Sequence, residues 1–362
     1  MNDQLKRTSL YIALLIAFGI SGYSVQASDK AVFPVQEWET RTPESVGMST
    51  TKLDALRDLA GGRGCVVRHG YMVYCWGDQG KSRDVASAFK PVLSTLLCFA
   101  IQEGMIKSPD QPVSDFEPRL KKLNKGKDAA MTWRHLASQT AAYGWAEKPG
   151  TVWAYNDYAL ALYYDSLMDK VFKQHGDVVL KKYLAEPLQF QDKYTFEAFG
   201  PKDRPGRLAL SVRDFARFGL LIQRKGQWRG KQLLQKKYID MMLNSIVPVD
   251  TPGVSGKEAE MIPSQRSIGG NKNITPIGPG YYSFNWWLNG TNKEGKRLYA
   301  NAPADTFVAS GHGGPRACWI FPGLDLIVSW NDANIKDHDA SPGNQKSKHN
   351  QALNLIKESI VK

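Results

Sequence analysis

The chain has 362 residues, of which 42% are hydrophobic and 23% charged, and it contains only four cysteines. This composition is typical of a folded globular protein, and it excludes a disordered chain, a collagen-like fibre and a small scaffold held by disulfides. The formal net charge of +12 is spread along the chain. Because no nucleic-acid-binding motif accompanies it, this charge predicts a generally basic surface and no nucleic-acid partner.

The amino terminus has the pattern of a secretory signal. Lys6 and Arg7 precede an apolar run at residues 10–20, and small residues follow up to Ala27. The apolar run is short for a membrane span, which needs about 20 residues. We therefore expect residues 1–27 to be a cleaved signal peptide, and the mature chain to be periplasmic or secreted without stable membrane insertion. An uncleaved anchor is the alternative.

A β-hairpin is predicted next, with a turn at residues 69–70 and strands that carry Cys65 and Cys75. A two-residue turn there places Cys65 opposite Tyr74, so a disulfide between the two cysteines requires a bulge or a longer loop. Export would allow such a bridge, and both the free and the bridged forms stay open. The other two cysteines lie in apolar segments and are expected to be buried.

Strands cluster near the two ends of the chain, and helical patterns lie between them. Helices are predicted at residues 49–59, 89–103, 211–224 and 350–361. Residues 109–204 combine helical patterns with loops. We therefore predict a sheet domain formed by residues 28–108 and 205–362, with an all-helical subdomain at 109–204 inserted between its two parts.

A long loop is predicted at residues 249–280, where Gly and Pro are frequent and no periodic apolar pattern occurs. A loop of this length is usually either functional or disordered. We expect it either to border a substrate pocket, with Tyr281 or Tyr282 lining that pocket, or to be a solvated excursion over an aromatic cluster.

The first motif with chemical potential is Ser87-x-x-Lys90. If Ser87 opens a helix, Lys90 lies one turn later on the same face, where its amine can activate the hydroxyl as a nucleophile. Two other matches begin at Ser49 and Ser359, but only Ser87 precedes a helix that is apolar nearly all round. Pro91 fits the first helical turn. The alternative is a capping serine and a surface lysine.

The second motif is Tyr155-x-Asp157, which follows a Pro-Gly turn and precedes an apolar helix. A tyrosine phenolate can accept a proton when a nearby cation lowers its pKa, and Lys90 would be such a cation. Asp157 can hydrogen-bond the same lysine and fix its position. The alternative is a core tyrosine beside a helix cap.

The third motif is the glycine-rich run at residues 311–316, which leads into an apolar strand. Glycine lets a substrate approach the backbone closely, and free N–H groups there can stabilise an oxyanion. His312 offers a neutral donor near pH 7. The alternative is a glycine-rich turn with an incidental histidine.

In this order and spacing, the three motifs resemble those of the serine beta-lactamase-like hydrolases. That family includes class C beta-lactamases, penicillin-binding carboxypeptidases, related esterases and 6-aminohexanoate-dimer hydrolases. The resemblance extends from about residue 40 to 360 and includes the stretches 84–87, 135–140 and 208–219. It implies an α+β fold of the beta-lactamase/transpeptidase type: an antiparallel sheet flanked by helices, with an all-helical subdomain and the site between them.

The resemblance also implies catalytic roles. Ser87 matches the nucleophile, Lys90 its partner, and Tyr155 the tyrosine of the second motif. Asp157 stands where many members carry asparagine.

The resemblance assigns the glycine-rich run to substrate binding, with a departure. His312, Gly313 and Gly314 stand where beta-lactamases carry Lys-Thr-Gly, whose lysine and hydroxyl bind the substrate carboxylate. Arg316 can supply a replacement positive charge. Because Pro315 has no N–H, the oxyanion donor besides the nucleophile's own N–H is expected at Gly314 or Arg316.

We therefore expect a serine hydrolase that forms an acyl-enzyme with a small-molecule ester or amide. The alternatives are a beta-lactamase or D-Ala carboxypeptidase-like enzyme, and a non-catalytic cell-wall-binding module on the same fold. The six histidines show no paired spacing of metal ligands, so neither a metal nor a cofactor is expected.

Overall fold

An antiparallel sheet of seven strands forms the centre of the computed structural model, which describes residues 31–199, 206–270, 272–274, 277–335 and 342–361. The predicted signal peptide, residues 1–27, lies outside the described residues. In chain order the sheet strands are β1 (Arg63–Arg68), β2 (Tyr71–Trp76), β7 (Tyr282–Ser283), β8 (Trp286–Leu288), β9 (Phe307–Gly311), β10 (Arg316–Phe321) and β11 (Leu326–Asn331). Two small ribbons pair β3 (Arg83–Asp84) with β4 (Ala209–Leu210), and β5 (Gln227–Trp228) with β6 (Lys231–Gln232).

The strand order across the sheet is β2-β1-β11-β10-β9-β8-β7. The α-helices are α1 (Thr50–Ala60), α2 (Lys90–Gln102), α3 (Trp133–Ala137), α4 (Asp157–Asp165), α5 (Gly176–Leu180), α6 (Val212–Gln223), α7 (Lys236–Asn244) and α8 (Lys348–Glu358). Short 3₁₀ or π turns occupy Glu44–Val46, Ala86–Phe89, Val113–Asp115, Pro118–Lys121, Leu123–Ala130, Ser166–Phe172, Lys181–Ala185 and Pro322–Leu324. The predicted α+β class and antiparallel sheet are confirmed, while the predicted boundaries of the helical subdomain stay a prediction.

Apolar residues occupy consecutive positions of the central strands, which is the pattern of strands buried on both faces of a sheet. On β10, Trp319 packs into the core shared with α1 and α8, whereas Ile320 packs into the core shared with α2 and α6. The sheet is therefore the middle of three layers. None of the described helices is long and apolar enough to cross a membrane.

A row of small residues crosses the sheet beneath α6. Cys65, Ser329, Cys318 and Ala309 face one another in register on four neighbouring strands. Their small side chains let α6 lie close, and the thiols of Cys65 and Cys318 each lie 3.5 Å from a backbone carbonyl of that helix. Cys98 and Cys318 are buried, as expected.

The first hairpin has a bulge that the sequence did not reveal. The register shifts between Val66 and Val67, so Cys65 lies opposite Cys75, and the pairing of Cys65 with Tyr74 expected for a simple two-residue turn is wrong. All four thiols are free in this structure.

Candidate active site

Ser87 lies in a short 3₁₀ turn that leads directly into α2. The turn is held by the Asp84 carboxylate, which accepts a hydrogen bond of 2.7 Å from the Ala86 N–H. Every residue of α2 from Lys90 to Ile101 is buried, as its continuous apolar pattern predicts. Burial of this helix carries the Lys90 side chain into the interior beside a partly exposed serine.

Lys90 joins the first two motifs. Its Nζ atom lies 2.7 Å from Ser87 Oγ, 2.6 Å from Tyr155 OH and 3.2 Å from Asp157 Oδ1. An ammonium group has three N–H donors, and three oxygen atoms surround it here. The geometry therefore fits a protonated Lys90 that holds the serine and the tyrosine together.

The charge of Lys90 is compensated inside the protein. The side chains of Lys90 and Asp157 are each 2% exposed. Burial lowers the pKa of Lys90, but the neighbouring Tyr155 and Asp157 outweigh this effect and raise the pKa above its ordinary value. Lys90 is therefore cationic at neutral pH.

The segment of the second motif is fixed by the residue between its two functional side chains. Asn156 caps α4 by accepting hydrogen bonds from the N–H groups of Tyr158 and Ala159, and its amide donates to Tyr143 O at 2.8 Å. With Asn156 held in this way, Tyr155 and Asp157 both contact Lys90.

The long loop predicted at 249–280 covers this segment. Its backbone donates from Ile268 to Asp157 O and from Asn273 to Tyr155 O, at 3.1 and 2.9 Å. At Gly269, where φ is +120°, a Cβ atom would lie 2.4 Å from a carboxylate oxygen of Asp157. Parts of the described loop therefore pack against the site while many of its residues are exposed, and both expectations for the loop stay predictions.

The tyrosines expected to line the pocket are both buried, Tyr282 among the rings of Trp153 and Trp287. Tyr282 is fully buried and donates to Asn285 Oδ1, while Tyr281 is 2% exposed and donates to Lys296 O. A partly exposed residue of the same aromatic run, Trp287, takes their place. Its ring stacks on that of Tyr155 with centroids 6.4 Å apart and an interplanar angle of 19°.

Asn285 is a residue that the sequence reasoning missed. It lies in the two-residue turn between β7 and β8, with φ at +69°, and Phe284 beside it has φ at +43°. Its side-chain amide donates to Lys90 O at 3.3 Å and to Ser94 Oγ at 2.8 Å. It thereby ties the sheet to the first turn of α2. An asparagine between two short aromatic strands was an available signal, since asparagine tolerates left-handed turn positions.

At the third motif, the residue closest to the serine is Gly311. It ends β9, and a Cβ atom there would lie 2.5 Å from Val85 O and 3.1 Å from Ser87 N. Only glycine fits this approach. The part of the strand that borders the nucleophile is therefore the end of β9 at Gly311, directly before the triplet 312–314 that the sequence indicated.

The residues after Gly311 form a tight turn. His312 and Gly313 have positive φ angles, +53° and +70°, and the N–H of Gly314 donates to Gly311 O at 3.1 Å. Gly314 also packs against His349. The N–H of Gly314 is therefore used inside the turn, contrary to the expectation that it is an oxyanion donor. Within the described part of the chain, the N–H of His312 has no acceptor.

His312 is neutral at physiological pH. Burial and the nearby Arg316 lower its pKa below the ordinary value. The Arg316 guanidinium donates to His312 Nδ1 at 2.6 Å, so the histidine carries its proton on Nε2.

A charged cleft of about 480 Å³ lies beside this turn. Its lining residues are Ser82, Arg83, Asp84, Ala198, Ala209, Arg316 and Asp332. Asp84 is paired with Arg207, and Asp332 is paired with Arg63. Among the described residues, Arg83 and Arg316 have no carboxylate partner, so the cleft has two guanidinium groups available to an anion.

The Ser-x-x-Lys motif that begins at Ser49 lacks the contacts of the first. Ser49 caps α1, and Lys52 pairs with Glu358 at 2.5 Å on the surface. The motif that begins at Ser359 ends outside the described residues. Nowhere in the described ranges do three or more His, Cys, Asp or Glu side chains form a group that could hold a metal ion.

Comparisons with known proteins agree on the fold. A family model described as Beta-lactamase matches residues 51–331. Similar solved structures include a putative beta-lactamase from Bacteroides dorei DSM 17855, with 15% identity, 86% of this chain and 99% of that chain covered, and a TM-score of 0.61. A putative 6-aminohexanoate-dimer hydrolase from Bacillus anthracis has 13% identity, 91% and 88% coverage, and a TM-score of 0.60.

A third similar structure is EstCE1, described as a hydrolase with promiscuous acyltransferase activity. It has 13% identity, 86% and 97% coverage, and a TM-score of 0.61. No curated protein matches the chain. At these identities the solved structures support the fold alone.

Proposed function

The chain belongs to the beta-lactamase family, and we propose that it is a serine hydrolase that cleaves an ester or an amide through an acyl-enzyme on Ser87. The observation that carries this proposal is the set of contacts that Lys90 Nζ makes with Ser87 Oγ, Tyr155 OH and Asp157 Oδ1. Such a nucleophile needs a proton acceptor and a fixed geometry, and this set supplies both.

In the proposed mechanism, Tyr155 is the general base and Lys90 is the cation that supports it. Because Lys90 is protonated and donates to both Ser87 Oγ and Tyr155 OH, it holds the two oxygen atoms near each other and compensates negative charge that develops on them during proton transfer. The tyrosine oxygen accepts the proton of Ser87 as the serine oxygen attacks the substrate carbonyl. The same tyrosine then returns the proton to the leaving group, and water later releases the acyl group.

The oxyanion is assigned to two backbone donors. One is the N–H of Ser87, and the other is the N–H of His312, which directly follows the glycine packed against the serine. In this assignment Gly313 and Gly314 shape the turn, and neither donates to the oxyanion. Donors fixed by a strand end and a helix start need little reorganisation during the reaction.

The surroundings of the serine favour an apolar acyl group and a substrate that carries an anion. The stacked rings of Tyr155 and Trp287 form an apolar wall beside the nucleophile. Arg83 and Arg316 face the adjoining cleft. Residue 309, two positions before Gly311, is an alanine. Strand β9 therefore has no lysine amine that could bind a beta-lactam carboxylate. We therefore favour an esterase or amidase over a beta-lactamase, and we propose that it acts after export from the cytoplasm.

A fluorophosphonate probe tests the proposal directly. The probe phosphonylates an activated serine, so it is expected to label the wild-type protein and to leave the Ser87→Ala variant unlabelled. Ser49→Ala is the matched control, because Ser49 begins a Ser-x-x-Lys motif whose lysine pairs with Glu358. Labelling that persists in Ser87→Ala, or that disappears in Ser49→Ala, would refute the assignment.

A further inference from the structure

We propose that Cys65 and Cys75 form an intramolecular disulfide under oxidising conditions. The two residues are direct partners on β1 and β2, and both are free thiols in this structure. Directly opposed residues of an antiparallel pair project to the same face of the sheet, with Cα atoms about 4.5–5.5 Å apart. This spacing falls within the range of about 4.4–6.8 Å that a disulfide requires.

The bulge is what makes this pairing possible. Without the register shift between Val66 and Val67, Cys65 would face Tyr74 and the two thiols would project to opposite faces. With the shift, Cys65 faces Cys75, and the next residues, Val66 and Tyr74, also remain paired. The register therefore selects this cysteine pair.

No other thiol competes for Cys65. Cys318 lies on the same row of the sheet, but Ser329 on β11 stands between the two cysteines. Cys98 is buried in α2. Because Cys65 is fully buried and Cys75 is exposed, an oxidant reaches the pair through Cys75.

Oxidised glutathione would form the disulfide between Cys75 and Cys65 in two steps. The Cys75 thiolate attacks the glutathione disulfide, which releases one glutathione thiolate and leaves a mixed disulfide on Cys75. The Cys65 thiolate then attacks the Cys75 sulfur and releases the second glutathione. The protein loses two protons and two electrons, and the electrons reduce oxidised glutathione to two glutathione molecules.

The environment of Cys75 sets the conditions of the reaction. The side chain is solvent-accessible, but the protein atoms around its thiol displace part of the water, and this desolvation raises the pKa of Cys75 to about 11, although the nearby Arg213 opposes this. The thiolate is the reactive form, so oxidation by glutathione is expected to be slow at neutral pH and faster at mildly alkaline pH.

The bridge would secure the edge of the sheet. β2 is the last strand in the sheet order and pairs with β1; on its outer side Met72 also exchanges hydrogen bonds with Glu39 and Arg41. Edge strands are the parts of a sheet that open and mispair most readily. A covalent link between β1 and β2 resists this opening.

Tryptic mapping of the full-length chain tests the bridge, because Arg68 lies between the two cysteines. Trypsin cleaves at Arg63, Arg68 and Lys81, so peptides 64–68 and 69–81 separate unless a disulfide joins them. The protein is incubated with oxidised glutathione at mildly alkaline pH, and remaining thiols are alkylated in denaturant. We expect the two peptides to be linked, and the count of free thiols to fall from four to two.

Two variants complete the test. Cys98→Ser is expected to lose two thiols on oxidation, as the wild type does, whereas Cys75→Ser is expected to form no intramolecular bridge. If Cys75→Ser fails to fold, the peptide map of the wild type decides the question alone. Unlinked peptides with four free thiols, or a covalent dimer joined through Cys75, would overturn the proposal.

Discussion

Replacement of Asp157 by asparagine is the most informative single change in the site, because it removes one charge and little volume. Lys90 Nζ and Asp157 Oδ1 are 3.2 Å apart, and both side chains are 2% exposed. At an effective dielectric constant of about 20, two unit charges at this distance attract by about 5 kcal/mol. Loss of one partner of a buried ion pair typically lowers the free energy of unfolding by about 3–5 kcal/mol.

The decrease in the free energy of unfolding caused by Asp157→Asn is expected to depend on pH, and the pKa of Lys90 gives the direction of this dependence. In the wild type, the pKa of Lys90 is raised above 10.5, so its contribution to stability is complete below that pH and is lost as the pH rises through the folded-state pKa. In Asp157→Asn, burial is no longer opposed by the carboxylate, and the pKa of Lys90 falls. Tyr155 still raises the pKa of Lys90 in the variant. At alkaline pH the folded variant therefore binds fewer protons than the folded wild type, and its deficit in stability is expected to narrow as the pH rises towards 10.5.

Urea unfolding at pH 7 and pH 9.5 measures both effects. The matched control is Asp58→Asn, because Asp58 pairs with Arg57 at 2.8 Å and the two side chains are 69% and 42% exposed; such an exposed pair contributes little to stability. We expect a large deficit in the free energy of unfolding for Asp157→Asn at pH 7 that narrows at pH 9.5, and a small deficit for Asp58→Asn at both. Equal deficits in the two variants, or a deficit that does not change with pH, would refute the reasoning about Lys90.

Four further results are expected in steady-state assays. Lys90→Ala and Tyr155→Phe should each lower the hydrolysis rate at least about 10²-fold, the usual effect of losing general-base catalysis; near wild-type rates would exclude the proposed proton path. Gly311→Ala should abolish turnover, because the new Cβ would lie 2.5 Å from Val85 O, and an active variant would argue against the proposed oxyanion site. Arg316→Ala should lower kcat/KM for carboxylate-bearing esters about 10–100-fold and leave kcat/KM for neutral esters unchanged. For the wild type, kcat/KM should be higher for p-nitrophenyl esters than for nitrocefin.

The first two motifs could be predicted because their geometry is local or depends on burial alone. An apolar helix that starts at a serine must carry Lys90 inward, and the contact between Lys90 and Ser87 follows from one helical turn. Tyr155 and Asp157 were found through their chemistry, and the structure brings both to the same lysine.

The third motif shows where a single sequence is insufficient. Three of the four residues 311–314 are glycines, and only the tertiary packing decides which of them meets the serine. The bulge between Val66 and Val67 is hidden for a similar reason, since no residue there has the conformational preferences of a bulge. The loop at 249–280 has no period because its buried residues, such as Ile262 and Ile268, are single positions between exposed or partly exposed neighbours.

The central claim is that Ser87 carries the acyl group during turnover. The most direct measurement is the intact mass of the protein quenched in acid while it hydrolyses a p-nitrophenyl ester, followed by peptide mapping. The proposed mechanism predicts a mass increase of one acyl group, located on Ser87 and absent from Ser87→Ala. An acyl group on another residue, or hydrolysis by Ser87→Ala at the wild-type rate, would contradict it.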